Sequence, residues 1–192
     1  MYASLADLKK DISQNQPNTL VQKWLSNPKS HAFASIAAEE KFYDMIRTDW
    51  HHCEKIKIVG SGNWRFSLNP FKNFSEFSVR SDIDVVVISR LHFHETWEEL
   101  RQVHRTEWLG WDKDQQTEVL ETGKNVYAGF ITPSWIPKRQ NPLRFKYVTT
   151  IQKYSCNLVG FRKVSFLFFK DIYETIDYYS RGINSARRHH GL

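Results

Sequence analysis

The feature that most restricts the fold is one apolar run, Ile-Asp-Val-Val-Val-Ile at residues 83–88. A short run of this kind, without polar alternation through its second half, is typical of a strand buried on both faces. Such a strand lies inside a sheet that other elements cover on each side. We therefore expect the rest of the chain to provide those covering elements.

The spacing of apolar residues predicts helices on both sides of this strand. The expected helices are at 3–13, 33–51, 94–108 and 171–188, with a further short helix that carries Leu20, Val21, Trp24 and Leu25. Further strands are expected at 55–59, 125–131, 145–151 and 164–169. A proline-rich loop with Pro133, Pro137 and Pro142 is expected between the strands at 125–131 and 145–151.

These elements predict an α+β (mixed α/β) fold in which helices flank a mixed sheet. A length of 192 residues fits one domain with a hydrophobic core of its own. We expect a single unit over 1–192, with a helical part at 1–52 and a sheet-containing core at 53–192.

Composition restricts the expected compartment more than it restricts the kind of binding partner. Two cysteines are too few for a disulfide framework, no long apolar run could cross a membrane, and the N-terminus lacks a secretion signal. We therefore expect a soluble, cytoplasmic protein. A net charge of +6 favours anions such as triphosphates or nucleic acid, but it is equally compatible with a protein that binds neither.

Two acidic side chains, Asp82 and Asp84, stand at the start of the apolar run. Residues two apart on a strand point to the same face, so these carboxylates are expected roughly 7 Å apart or closer. Neighbouring carboxylates repel each other unless a cation lies between them. Mg²⁺ or Mn²⁺, which prefer oxygen ligands, would satisfy that requirement.

A second chemical signal precedes the aspartates. The strand predicted at 55–59 ends in Gly60-Ser61-Gly62. Glycine lets a phosphate approach the backbone N–H groups closely, and the Ser61 hydroxyl adds a donor. Each signal is weak alone. Their order and their strand contexts together predict a site for a triphosphate and the metal ions that bridge it.

The two segments together resemble the signature of the polymerase-beta-type nucleotidyltransferase superfamily. The matching residues are Val59-Gly60-Ser61-Gly62 and Ser81-Asp82-Ile83-Asp84-Val85, and the resemblance is confined to about residues 55–90. It implies a polymerase-beta-like core in which Gly60, Ser61 and Ser81 bind the nucleotide. Asp82 and Asp84 would be the catalytic residues and the ligands of Mg²⁺ or Mn²⁺.

The resemblance also implies an activity. Such an enzyme moves a nucleotidyl group from ATP or another nucleoside triphosphate to a hydroxyl of a nucleotide, an oligonucleotide, a protein or a small molecule. Minimal bacterial members often belong to toxin–antitoxin or anti-phage modules, which makes a partner protein or a homo-oligomer possible. The alternative is a catalytically silent module that binds nucleotide or regulates a partner.

One departure from the family pattern keeps that alternative open. The family usually has a third carboxylate on a later strand, and the strand at 164–169 offers Ser165 or Leu167 there instead. The other candidates are Asp171, just past this strand, and Glu118 and Glu121 in a predicted helix.

Basic residues of the last helix have two interpretations. Arg181, Arg187 and Arg188 are placed to bind phosphates of a nucleotide or an acceptor strand, or to act as solubilising cations at a helix C-terminus.

Overall fold

The computed structural model describes residues 2–133 and 142–192, and within them the chain forms eight α-helices and four β-strands. In chain order these are α1 (Leu5–Gln14), α2 (Pro17–Ser26), α3 (Ile36–Asp49), β1 (Lys55–Val59), α4 (Ser61–Trp64), β2 (Ile83–Ile88), α5 (Arg90–Glu107), α6 (Lys113–Tyr127), β3 (Phe130–Ile131), α7 (Pro142–Gln152), β4 (Val164–Phe169) and α8 (Ile172–His190). The predicted mixed α+β class is confirmed. None of these helices has the length and apolarity needed to cross a membrane.

The four strands form one mixed sheet in the order β1-β2-β4-β3. Strand β2 runs antiparallel to β1 and parallel to β4, while β3 is antiparallel to β4. The apolar run therefore occupies an interior strand, as its composition predicts. Val85 and Val87 face one hydrophobic cluster, and Val86 and Ile88 face the other.

Each face of the sheet has its own layer of helices. One cluster includes side chains of α3, α5 and α7, for example Phe42, Leu100 and Tyr147. The other includes side chains of α1, α2 and α8, for example Ile12 and Ile183. Burial on both faces fixes the register of β2, because a slip by one residue would exchange its two faces.

Helix α8 is held at both ends. Its N-cap residue Asp171 accepts hydrogen bonds from the backbone N–H groups of Tyr173 and Glu174, at 2.9 and 3.0 Å. Near its C-terminus the Arg187 guanidinium donates to the backbone carbonyls of Ile12 and Asn15 at the end of α1. Arg187 is therefore engaged in joining two helices, which corrects its interpretation as a phosphate-binding residue.

One predicted strand is only partly correct, and another is wrong. Residues 125–127 end α6, so only Phe130 and Ile131 of the segment 125–131 form a strand. The segment 145–151 lies within α7, where helical spacing places Tyr147 and Ile151 on the buried side. The β-branched residues of this segment favour a strand, but packing against β4 overrides that local preference.

The expected proline-rich loop is also only partly correct. Pro142 begins α7, a position that tolerates proline because the first helical N–H needs no partner within the helix. Pro137 lies outside the described residues.

Asp171 tests the capping role. Replacing Asp171 with Ala should lower the free energy of unfolding by about 1 kcal/mol, because two N–H groups of α8 lose their acceptor. Asp171→Asn, which keeps a side-chain oxygen, should recover most of that loss in urea denaturation. Unchanged stability of the alanine variant would contradict the capping role.

Candidate functional site

The sheet brings the glycine turn directly beside Asp84. In the antiparallel β1–β2 pair Val59 lies opposite Asp84, so Gly60 leaves the sheet next to that carboxylate. Gly60 has φ +64°, and a Cβ built on it would lie 2.9 Å from Asp84 Oδ2. Both the backbone conformation and this close approach require glycine. The two sequence segments therefore meet in one place.

The turn is held rigidly. Gly60 is the N-cap of the single turn α4, and its carbonyl accepts from the N–H groups of Asn63 and Trp64 at 3.0 and 3.2 Å. The Asn63 side chain in turn donates to the carbonyls of Ile58 and Trp24. This buried amide ties the turn to β1 and α2, so it holds the backbone of the turn in the cleft that Asp84 also lines.

Asp84 is a half-buried carboxylate that no residue neutralises by contact. Its oxygens form neither a hydrogen bond nor an ion pair with any residue in 2–133 or 142–192. Burial first, and then the negative charge of Asp82, raises the pKa of the Asp84 carboxyl from 3.8 to about 6, against the opposing effect of Lys72 and Lys163. An unpaired, partly desolvated carboxylate destabilises the fold, so its position suits a cationic ligand.

Asp82 has a different environment. It is exposed, precedes β2, and lies 3.7 Å from Lys163 Nζ, which is exposed as well. Such a pair contributes little to stability and can be exchanged for another cation. Asp82 is close enough to Asp84 to affect its pKa, as two carboxylates at alternate strand positions should be.

Two clefts share Asp84. The turn cleft, of about 580 Å³, is lined by residues that include Gly60, Ser61, Lys72 and Gly182. The strand cleft, of about 720 Å³, also borders Asp84, and its walls are largely apolar, with Phe130 and Phe161 among them. Tyr178 of α8 also lines both clefts. A cavity of about 750 Å³ between α5 and α6 contains none of these residues, so volume alone does not identify the site.

Ser165 is one of the two strand positions at which the family resemblance would place a third acid. It pairs with Asp84 in the parallel β2–β4 register, and paired residues point to the same face. Leu167 pairs with Val86, farther along the strand. Asp171 is the cap of α8 beyond the far end of β4.

The two glutamate candidates, Glu118 and Glu121, lie on α6, and Glu121 forms an ion pair with Lys124. Among the described residues that line the two clefts, Asp84 is the only acid.

These residues fit a divalent cation of the Mg²⁺ type. Mg²⁺ is usually held by one or two carboxylates, with water and phosphate oxygens completing its shell. Asp84 and Asp82 could supply the carboxylates, and the hydroxyls of Ser61 and Ser165 lie among the cleft residues. No group of three or more His, Cys, Asp and Glu suited to a metal occurs in the part of the chain that the structure describes.

Ser81 has a local structural contact. Its hydroxyl accepts a hydrogen bond from the Ser78 N–H at 3.0 Å, and its own N–H donates to the Ser78 carbonyl. It closes the loop before β2 and is not among the described residues that line the two clefts. The structure thus brings together Gly60, Ser61 and Asp84, with Asp82 beside them and Ser81 outside the clefts.

Sequence reasoning missed the wall that α8 contributes. Gly182 lies in the middle of this helix and lines the turn cleft, where a Cβ would meet no atom within 4 Å. Glycine inside a helix costs about 1 kcal/mol relative to alanine. Packing among the residues that the structure describes does not require glycine here. The signal available in the sequence was this glycine, one turn after Tyr178 and Tyr179.

Comparison with known proteins assigns no family to the chain. No family model, curated protein or solved structure matches the chain.

The unpaired carboxylate predicts a pH-dependent gain in stability for Asp84→Asn. Because the folded-state pKa lies above the ordinary value, wild-type stability falls as pH rises from about 4 to about 6. The neutral variant avoids this loss, so at pH 8 it should be more stable by up to about 3 kcal/mol. At pH 4 most of the difference should disappear.

Urea denaturation at the two pH values measures both differences. Asp44→Asn, at an exposed carboxylate on α3, is the matched control and should change stability little at either pH. A gain for Asp84→Asn of equal size at both pH values would contradict the assignment of an elevated pKa.

Proposed function

We propose that the chain is a metal-dependent nucleotidyltransferase with a polymerase-beta-like core. It would transfer a nucleotidyl group from ATP or another nucleoside triphosphate to a hydroxyl and release pyrophosphate. One observation carries the proposal: Gly60 of the Gly-Ser turn lies against the unpaired carboxylate of Asp84. The segments that resemble the family signature are thereby neighbours in space, although Asp84 lies 23 positions after Ser61 in the chain.

The residues around Asp84 suit a bound triphosphate. Ser61 offers a hydroxyl and a backbone N–H at the start of α4, and Lys72 and Arg181 line the same cleft. The Ser61 donors would hold the phosphate chain with its reacting end toward Asp84, and the charges of the two cations would attract it into the cleft. A divalent cation, when bound to Asp82 and Asp84, supplies positive charge to the phosphate oxygens.

Catalysis would then depend on position and charge. The acceptor hydroxyl oxygen bonds to the α-phosphorus and loses its proton to water, the bond from that phosphorus to the bridging oxygen breaks, and pyrophosphate leaves with the electron pair. The residues of the turn keep the triphosphate aligned for this displacement. No covalent bond to the protein is required.

A second function has one observation in its favour. Ser165 stands beside Asp84 where a third carboxylate would complete the family's usual set. A chain without that acid could bind nucleotide without turning it over and act by regulating a partner protein. The two functions differ in one measurable property, the release of pyrophosphate.

Pyrophosphate release is the decisive assay. The protein is incubated with each ribonucleoside or deoxyribonucleoside triphosphate in turn, together with Mg²⁺ or Mn²⁺ and with candidate acceptors. We expect release with at least one triphosphate, and a loss of a hundredfold or more in Asp84→Asn because charge stabilisation at the phosphate disappears. Asp44→Asn should retain wild-type turnover.

Triphosphate binding without release from any triphosphate would reject the enzyme and leave the silent module. Absence of both would reject the site.

Gly182 tests whether the turn cleft holds the triphosphate. Gly182→Ala should stabilise the fold by about 1 kcal/mol because alanine favours the helix. Gly182→Leu should weaken triphosphate binding tenfold or more, because its side chain projects into the open part of the cleft.

Gly123→Leu is the matched control, since Gly123 also lies inside a helix and its Cβ would meet nothing within 4 Å. Isothermal titration calorimetry and thermal unfolding measure the two effects. Equal triphosphate affinity in Gly182→Leu and wild type would place the ligand elsewhere.

A further inference from the structure

The face of α8 that lines the turn cleft continues to the end of the helix. Tyr178, Arg181 and Ser185 line the cleft at helical spacing. Arg188 and His189 follow one turn later on the same face, because residues three and four apart lie above one another. The surface from Tyr178 to Arg188 is about 15 Å long at 1.5 Å per residue. It begins in the cleft that Asp84 also lines.

An exposed aromatic ring lies beside this face of α8. Phe71 lines the turn cleft, is 94% exposed, and has its ring centroid 6.4 Å from that of His189. It lies in a short 3-10 turn, Pro70–Lys72, whose geometry is fixed by the Asn69 side chain accepting the Phe71 N–H at 3.0 Å. A short, hydrogen-bonded turn thus presents an exposed ring beside the helix.

Cations accompany the ring along this surface. Lys72 follows Phe71 directly, and Arg188 is exposed on α8. Neither forms an ion pair with a residue in 2–133 or 142–192. Arg181 forms one with Asp177, but both side chains are largely exposed, so the pair is weak and a phosphate could replace the carboxylate. The positive charge of this surface is therefore available to a ligand.

We propose that this surface, the α8 rim of Phe71, Lys72, Arg181, Arg188 and His189, binds single-stranded nucleic acid. Cations that follow a backbone, together with a solvent-exposed ring on which a base can stack, are the features that single strands use. Helix α8 offers a length of roughly four stacked nucleotides at 3.4 Å each. A protein partner would need an apolar centre made of several side chains, whereas the rim offers the single ring of Phe71.

The proposal names the acceptor class and, in that respect, rests on the proposed function. The terminal hydroxyl of the bound strand reaches the turn cleft beside Asp84. Its oxygen forms a bond to the α-phosphorus of the triphosphate, pyrophosphate leaves with the electrons of the broken bond, and the hydroxyl proton passes to water. The strand becomes longer by one nucleotidyl unit.

Binding is tested first, without triphosphate. Fluorescence anisotropy with labelled ten-nucleotide single-stranded RNA and DNA, at several salt concentrations, gives the affinity and its salt dependence. Lys72→Ala and Arg188→Ala should each make the slope of log K against log salt shallower by about 0.7, because one phosphate contact is lost. Phe71→Ala should weaken binding roughly tenfold at an unchanged slope, because stacking carries no net charge.

Two variants outside the rim serve as matched controls. Arg105→Ala removes an exposed cation from α5, and Tyr127→Ala removes a ring that is 94% exposed at the end of α6. Both should leave affinity and slope unchanged. Equal weakening by rim and control variants would overturn the proposal. Heparin is a polyanion without bases, so Phe71→Ala should weaken oligonucleotide binding but not heparin binding, and heparin should then compete more effectively. Unchanged competition by heparin in Phe71→Ala would also overturn the proposal.

The acceptor is then tested with labelled triphosphate. Transfer of label to the oligonucleotide supports the proposal, and transfer to protein alone overturns the acceptor assignment. Pyrophosphate release without oligonucleotide binding overturns the rim and leaves the proposed function intact. Rim-dependent binding without pyrophosphate release from any triphosphate supports the rim as a strand-binding surface and rejects the proposed function.

Discussion

The unpaired Asp84 carboxylate beside Gly60 is the contact on which the rest of the site depends. A half-buried acid without a donor lowers the stability of the fold, as the elevated pKa of Asp84 indicates. Replacement by a neutral residue would relieve that cost. The positive φ of Gly60 adds a second constraint at the same point, because any side chain there would be strained and would meet Asp84 Oδ2. A carboxylate with a raised pKa beside a turn of restricted residue type is typical of a binding site.

The sheet explains how such a carboxylate is kept in place. The other β2 residues are buried on both faces, so the register of the strand is fixed by the two clusters around it. Asp84 has the only charged side chain within the strand, at the end where β1 gives way to the glycine turn. The stability of two hydrophobic layers thus maintains one unfavourable charge. Flexible loops could not hold the carboxylate as firmly.

The sequence predicts those parts of the site that are formed by short segments of the chain. The apolar run predicted β2. The order of the Gly-Ser turn and the Asp82-Asp84 pair, each next to a predicted strand, predicted one joint site, and Gly60 does lie against Asp84. The wall formed by Tyr178 and Gly182 could not be derived, because about 100 residues separate it from Asp84 and only tertiary packing joins them. The strand prediction at 145–151 is wrong because the β-branched residues there favour a strand locally, whereas packing against β4 stabilises helix α7.

The cations around Asp84 give the site a direction. Lys163 lies on the strand-cleft side, where it is 3.7 Å from Asp82, and Lys72 lies on the turn-cleft side without an ion pair among the described residues. An anion that enters the turn cleft gains the attraction of Lys72 and displaces no protein carboxylate from it. An anion in the strand cleft must compete with Asp82 for Lys163. Phosphates are therefore favoured in the turn cleft, while the apolar walls of the strand cleft suit a less charged group.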